Sequence, residues 1–170
     1  MRMANDRLSI NDIVNNFTML EPTAYADLSG GPLAPNLVGK ALFYQLTDGI
    51  LLTIAATDIP EISSDGTHSY FHGFHIHDKG NCSPGTLANP FPSTDGHWNP
   101  TDQPHPFHYG DLPPLMSTNG TAVMAIYIGS FSVDDIIGKS LVIHEKRDDF
   151  TSQPAGDSGK KLACGVILKS

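Results

Sequence analysis

Ser69-Tyr70-Phe71-His72-Gly73-Phe74-His75-Ile76-His77 alternates, with Tyr70, His72, Phe74 and Ile76 on one side and Phe71, Gly73, His75 and His77 on the other. Alternation with a period of two is the pattern of a strand, whose successive side chains point to opposite faces. The neighbouring segments repeat the pattern. Leu37 to Leu46 and Ile50 to Ala56 flank Thr47-Asp48-Gly49, a good hairpin turn. Downstream, Thr121 to Ile128 follows an Asn119-Gly120 turn and puts Ala122, Met124, Ile126 and Ile128 on one face. Ser140 to His144 is a short strand, Ala163 to Leu168 reads as the last, and Asp134 to Ile137 fits one helical turn. The chain is therefore expected to be all-β and antiparallel, with two long loops, one on each side of Asn119-Gly120.

Composition supports that reading and narrows the partners. Gly 16 and Pro 13 with a charged fraction of 16% suit many turns and short strands. A length of 170 residues fits one domain with its own core. Residues 1–20 show no period and are rich in Asn and Asp, so they read as a loosely held arm before a domain over 21–170. The net charge of −8 argues against nucleic acid or an anionic membrane as partner, since both attract basic surfaces. No stretch approaches the roughly 20 apolar residues of a membrane span. Met1-Arg2-Met3-Ala4-Asn5-Asp6 lacks the apolar core of an export signal, which leaves the compartment open.

Histidine is unevenly placed. None of the eight precedes His68, and seven fall between His68 and His108. His75 and His77, two apart on a strand, face the same way while Phe74 and Ile76 face the other. The Pro/Gly-rich stretch Asn81 to Leu115 has no period, and so long a loop inside a compact domain is usually functional. It contributes His97, His105, His108 and Asp111, and His144 ends a strand before Glu145-Lys146-Arg147-Asp148-Asp149. Singly, each fits a solvated loop histidine; clustered, they point to metal. Cys82 and Cys164 are the only cysteines. Alone, the pair fits a disulfide, two buried thiols or half a zinc site.

Taken in order, these segments resemble a known family. Gly73-Phe74-His75-Ile76-His77, Gly96-His97-Trp98-Asn99-Pro100, His108-Tyr109-Gly110-Asp111-Leu112-Pro113, Gly138-Lys139-Ser140-Leu141-Val142-Ile143-His144, Asp148-Asp149 and Leu162-Ala163-Cys164-Gly165-Val166-Ile167 are similar to motifs of the copper–zinc superoxide dismutases. Ser29-Gly30-Gly31-Pro32-Leu33-Ala34-Pro35 and the short His77-to-Cys82 spacing look like the bacterial branch. The resemblance covers roughly residues 24–168. It implies an antiparallel Greek-key β-barrel or sandwich of about eight strands, with a metal-binding loop and an electrostatic loop.

The same resemblance implies the site. Copper would take His75, His77, His97 and His144; zinc would take His97, His105, His108 and Asp111, with His97 shared as a bridging imidazolate. Asp148 would hydrogen-bond His75 and His105, orienting one ligand of each metal. Cys82 and Cys164 would form the family's disulfide, implying an oxidising, extracytoplasmic compartment: periplasm, cell envelope or outside the cell. The implied function is dismutation of superoxide to oxygen and hydrogen peroxide, by a monomer or homodimer, with His97 as proton carrier and Lys161 at the mouth of the copper channel. His68 and His72 match no ligand position and read as surface or packing residues.

Two departures from the family matter. Lys161 stands where an arginine is usual, keeping the charge but losing the planar fork of donors. Electrostatic steering of superoxide is a known property of this family rather than a deduction from the sequence. Only Pro106-Phe107 separates His105 from His108, several residues fewer than usual, which makes zinc ligation less secure than copper ligation. The competing reading is a dismutase-like module that binds copper or zinc without turnover. The complete set of four copper ligands favours the enzyme. A purely adhesive β-sandwich leaves the aligned ligands unexplained.

Overall fold

The computed structural model describes residues 21–170; the expected arm over 1–20 lies outside the described residues. Within those residues, ten strands and one α-helical turn follow in order. They are β1 (Ala24–Gly30), β2 (Val38–Gln45), β3 (Ile50–Thr57), β4 (Phe71–His72), β5 (Phe74–His77), β6 (Leu115–Met116), β7 (Ala122–Ile128), α1 (Val133–Ile136), β8 (Ser140–His144), β9 (Lys161–Val166) and β10 (Leu168–Lys169). The main sheet runs β5-β8-β9-β1-β2-β3-β7, with β10 also on β1, and every pairing is antiparallel. β4 and β6 pair separately. The all-β antiparallel expectation holds.

The β2–β3 hairpin is the longest register, from Val38 opposite Thr57 to Gln45 opposite Ile50. Its alternation sends Ala41, Phe43, Ile50, Leu52 and Ile54 inward. The side chain of Gln45 closes the turn by donating to the carbonyls of Leu46 and Gly49, both at 3.0 Å. Phe74 and Ile76 of β5, at one end of the sheet, share a core with Ala122 and Ile128 of β7, at the other. The sheet must therefore curl on itself, so that one apolar interior serves all its strands.

Three local expectations need correction. β1 has no counterpart in the period-based reading: Ala24, Ala26 and Leu28 do alternate inward, but Ala, Asp, Ser and Gly are weak strand formers. Its place is set by the neighbours β2, β9 and β10 rather than by propensity. The last strand begins at Lys161 and is interrupted at Ile167, and α1 sits one residue earlier than expected. On β7, Met124 and Ile126 are only partly buried, since this strand is the sheet's edge.

Candidate metal centre

β5 is buried on both faces. Phe74 and Ile76 enter the core, and His75 and His77 are covered by the long loop. Three backbone bonds lock that loop onto β5: Trp98 N–H to Ile76 O (2.8 Å), Gly110 N–H to Trp98 O (2.9 Å) and Ile76 N–H to Gly110 O (2.9 Å). Gly110 is needed here, because a Cβ would lie 2.2 Å from the Ile76 oxygen. The lock brings His97 opposite His77 and Asp111 opposite His75. β8 carries the remaining ligand candidate. A bulge between Ile143 and His144 ends its regular ladder with β9, and His144 N–H bonds to Gly73 O at 2.8 Å.

Four of the rings are oriented through the nitrogen that faces away from the centre. His77 Nδ1–H donates to Asp95 O (2.8 Å) and His144 Nδ1–H to Gly159 O (3.1 Å). His75 and His105 donate Nε2–H to the two oxygens of Asp148, at 2.8 and 2.9 Å. Asp148 also accepts the Phe150 N–H at 2.8 Å. Those bonds leave lone pairs pointing inward. His77 Nε2 and His144 Nε2 face each other at 3.3 Å, an approach of two acceptors that needs a cation or proton between them.

Four buried ring nitrogens have no hydrogen-bond partner among the described residues: His75 Nδ1, His97 Nε2, His105 Nδ1 and His108 Nδ1. His105 Nδ1 and His108 Nδ1 lie 3.1 and 3.2 Å from Asp111 Oδ2, close enough for ion pairing but without hydrogen-bond geometry. His97 Nδ1 lies 2.7 Å from Asp111 Oδ1. Two sets of donor atoms result, each lying within 4.8 Å of one another: His75, His77, His97 and His144, and His97, His105, His108 and Asp111. An orphaned buried polar atom is costly. Four of them converging in two groups fit two metal ions. The all-imidazole set suits copper and the N₃O set suits zinc.

Protonation states agree. Burial foremost, then the neighbouring imidazoles, hold His77 and His144 well below the ordinary histidine range. Burial also lowers His97 to about 4, against the opposing pull of the Asp111 carboxylate. For Asp111 burial pushes upward, but the His97 hydrogen bond and the surrounding imidazoles outweigh it and the carboxyl stays ionised. His77, His97 and His144 are thus neutral and ready to ligate at neutral pH.

The other residues singled out in the sequence have separate fates. Cys82 and Cys164 are disulfide-bonded, with Cα atoms 5.6 Å apart, tying the long loop to β9. His68 is exposed. His72 is buried, donating Nδ1–H to His144 O (3.1 Å) and bonding Ser117 Oγ (3.0 Å) through Nε2. Lys161 pairs with His144 in the β8–β9 ladder. Its ammonium donates to Thr94 Oγ1 (2.7 Å), Phe91 O (3.2 Å) and Asp95 O (3.4 Å), so all three donors have protein partners. Lys160 bonds Leu87 O, and Lys146 is paired with Asp65. The carbonyls of Asp95 and Gly159, which orient His77 and His144, were not legible in the sequence, because a backbone acceptor leaves no side-chain signature.

Residues 38–167 match the family model for copper/zinc superoxide dismutase (SODC). The chain is 32% identical to a copper–zinc superoxide dismutase of Aquifex aeolicus over 77% of its length and 79% of the relative's. It is 32% identical to that of Deinococcus radiodurans, over 86% and 85%, and 30% identical to that of Legionella pneumophila, over 78% and 79%. Among solved structures, a double mutant of a superoxide dismutase-like protein from Bacillus subtilis, with histidine introduced at two positions, superposes with a TM-score of 0.70. The identity is 29%, covering 85% of this chain and 96% of that one. The chain belongs to the copper–zinc superoxide dismutase family.

Proposed function

We propose that this chain is a superoxide dismutase in which His75, His77, His97 and His144 hold copper and His97, His105, His108 and Asp111 hold zinc. The observation that carries the reading is His97, whose two ring nitrogens face the two donor sets, Nε2 toward the imidazoles and Nδ1 toward Asp111. When bound, copper supplies the one-electron exchange that turns two superoxides and two protons into oxygen and peroxide, and zinc polarises the shared ring.

The protein's own groups do the rest. His97 Nε2 is the atom at which a proton is held and then given up to the reduced product, while Asp111 keeps the ring from turning. Asp148 fixes His75 and His105 with one carboxylate, so the two sets keep their spacing. Lys161, opposite His144 in the ladder, supplies positive charge in a chain of net charge −8. Residues 21–170 act as one dismutase domain, and the Cys82–Cys164 bridge supports an oxidising, extracytoplasmic setting. No helix among the described residues is long and apolar enough to cross a membrane.

The test is metal analysis with a superoxide-decay assay on the copper-loaded protein and on His144→Ala. The parent should turn over and the variant, still folded because Leu141 and Ile143 hold β8 in the core, should not. Parent-level activity in His144→Ala overturns the copper assignment. Stoichiometric metal without turnover in the parent makes the chain a metal-binding module instead.

A further inference from the structure

The linker between His105 and His108 is only Pro106-Phe107, so little of this loop's own backbone steadies His105. Its main-chain partners come from elsewhere. The Gln153 side chain accepts the His105 N–H through Oε1 at 3.0 Å and donates from Nε2 to the His105 carbonyl at 2.7 Å. One primary amide thus captures both backbone polar groups of one residue, much as a strand neighbour would. The two partners also settle the orientation of the amide, since an N–H needs the oxygen and a carbonyl needs the nitrogen.

Gln153 is itself held still. Asp149 Oδ1 accepts the N–H groups of Thr151 and Ser152, both at 2.8 Å, and Asp149 Oδ2 accepts the Ser152 hydroxyl at 2.6 Å. Gly156 N–H donates to Ser152 O at 2.7 Å and Asp149 N–H to Gly156 O at 2.9 Å, closing the turn that carries Gln153. Asp148, on the same segment, takes the far ring nitrogen of His105. Three hydrogen bonds from one loop therefore fix His105 at its ring and at both backbone groups, and Nδ1 is the only polar atom left for a ligand. Asp148 serves both donor sets. Gln153 bonds only His105, a member of the second set alone.

We propose that Gln153 is a positioning residue for zinc: it clamps the backbone of His105 and so presets the second donor set. The clamp rests on the ligand reading given above. Because Gln153 is exposed, removing it lets water reach the same two backbone groups, so the loss falls on the aim of the ring rather than on the fold.

The experiment measures zinc and copper affinities separately, by competition with chromophoric chelators, together with the thermal midpoint of the metal-free protein. Gln153→Ala should bind zinc about tenfold to a hundredfold more weakly, the range typical of lost outer partners of a ligand. Copper affinity and the metal-free midpoint should stay at parent values. Cobalt(II) in place of zinc should give an altered visible absorption in the variant. Gln153→Met, which keeps the length and loses both bonds, should reproduce the loss and replaces Gln153→Ala if that variant does not fold. Zinc affinity equal to the parent's overturns the proposal. Equal losses of zinc and copper, or a lowered metal-free midpoint, overturn it too, by making Gln153 a fold-holding residue. His108→Ala separates the underlying reading: if it binds zinc like the parent, the ligand assignment is wrong, whatever Gln153 does.

Discussion

Lys161 shows how much one side chain's surroundings change its meaning. The family resemblance placed it as a cation near the proposed copper ligands, but its bonding was not legible in the sequence. An ammonium has three donors, and here Thr94, Phe91 and Asp95 use all three. The proposed pull on an approaching anion must therefore come through charge alone. Lys161→Gln, which can keep one bond but loses the charge, should slow superoxide decay by about tenfold, the low end of what a local field supplies. Raising the salt should slow the parent, because screening sets in within roughly 10 Å at 0.1 M, and should affect the variant less. Lys161→Arg should match or exceed the parent, because a guanidinium has five donors and keeps some free after satisfying the same acceptors. Rates against ionic strength for the three proteins check this, and an unchanged rate in Lys161→Gln moves the steering to another residue.

At the scale of elements, the site depends on the loop seated against β5. His75 and His77 were recognisable by their period of two, and β8 by its apolar run ending in His144. The loop's path was not, because Asn81 to Leu115 has no period to read. What seats it is the backbone triangle of Ile76, Trp98 and Gly110, whose closeness only glycine permits. Gly110→Ala should push the loop off β5 and carry His97 and Asp111 with it. Both metals should then bind at least about tenfold more weakly, a loss of the size seen when a ligand's support is removed. Metal stoichiometry after dialysis at fixed chelator concentration measures it. Retention of both metals at parent affinity would show that the loop tolerates the added carbon.

Two predictions concern the whole molecule. The Cys82–Cys164 bridge joins residues 82 apart, so it restricts a large part of the unfolded chain. Reducing it should lower stability by roughly 2–4 kcal/mol, read from denaturant midpoints with and without reductant. Alkylation of the native oxidised protein should find no free thiol. The second prediction is acid sensitivity of the metal-free protein. His97 is held at about 4 against an ordinary 6.5, and His77 and His144 are shifted in the same direction. The unfolded chain then takes up protons before the folded one as pH falls from 6.5 toward 4, so stability declines through that window and is regained above it. Chemical denaturation of the metal-free protein at about pH 7, 5.5 and 4.5 checks the sign. A flat profile would mean that the buried imidazoles are already protonated or exposed.

What the sequence determined by itself is the set of parts: alternating strands with glycine turns, six histidines and an aspartate in family order, and two cysteines. These are local facts of side-chain type and spacing, which periodicity and motif express directly. What only the tertiary structure decided is how the parts face one another. β1 formed from weak strand formers because β2, β9 and β10 surround it. Lys161 lost its free donors to a turn some seventy residues earlier in the chain. The short linker between His105 and His108, a weakness on paper, gained its support from Gln153, 48 residues further on than His105. Such contacts depend on where a curled sheet returns the chain to itself, and a one-dimensional pattern of residue types carries no record of that.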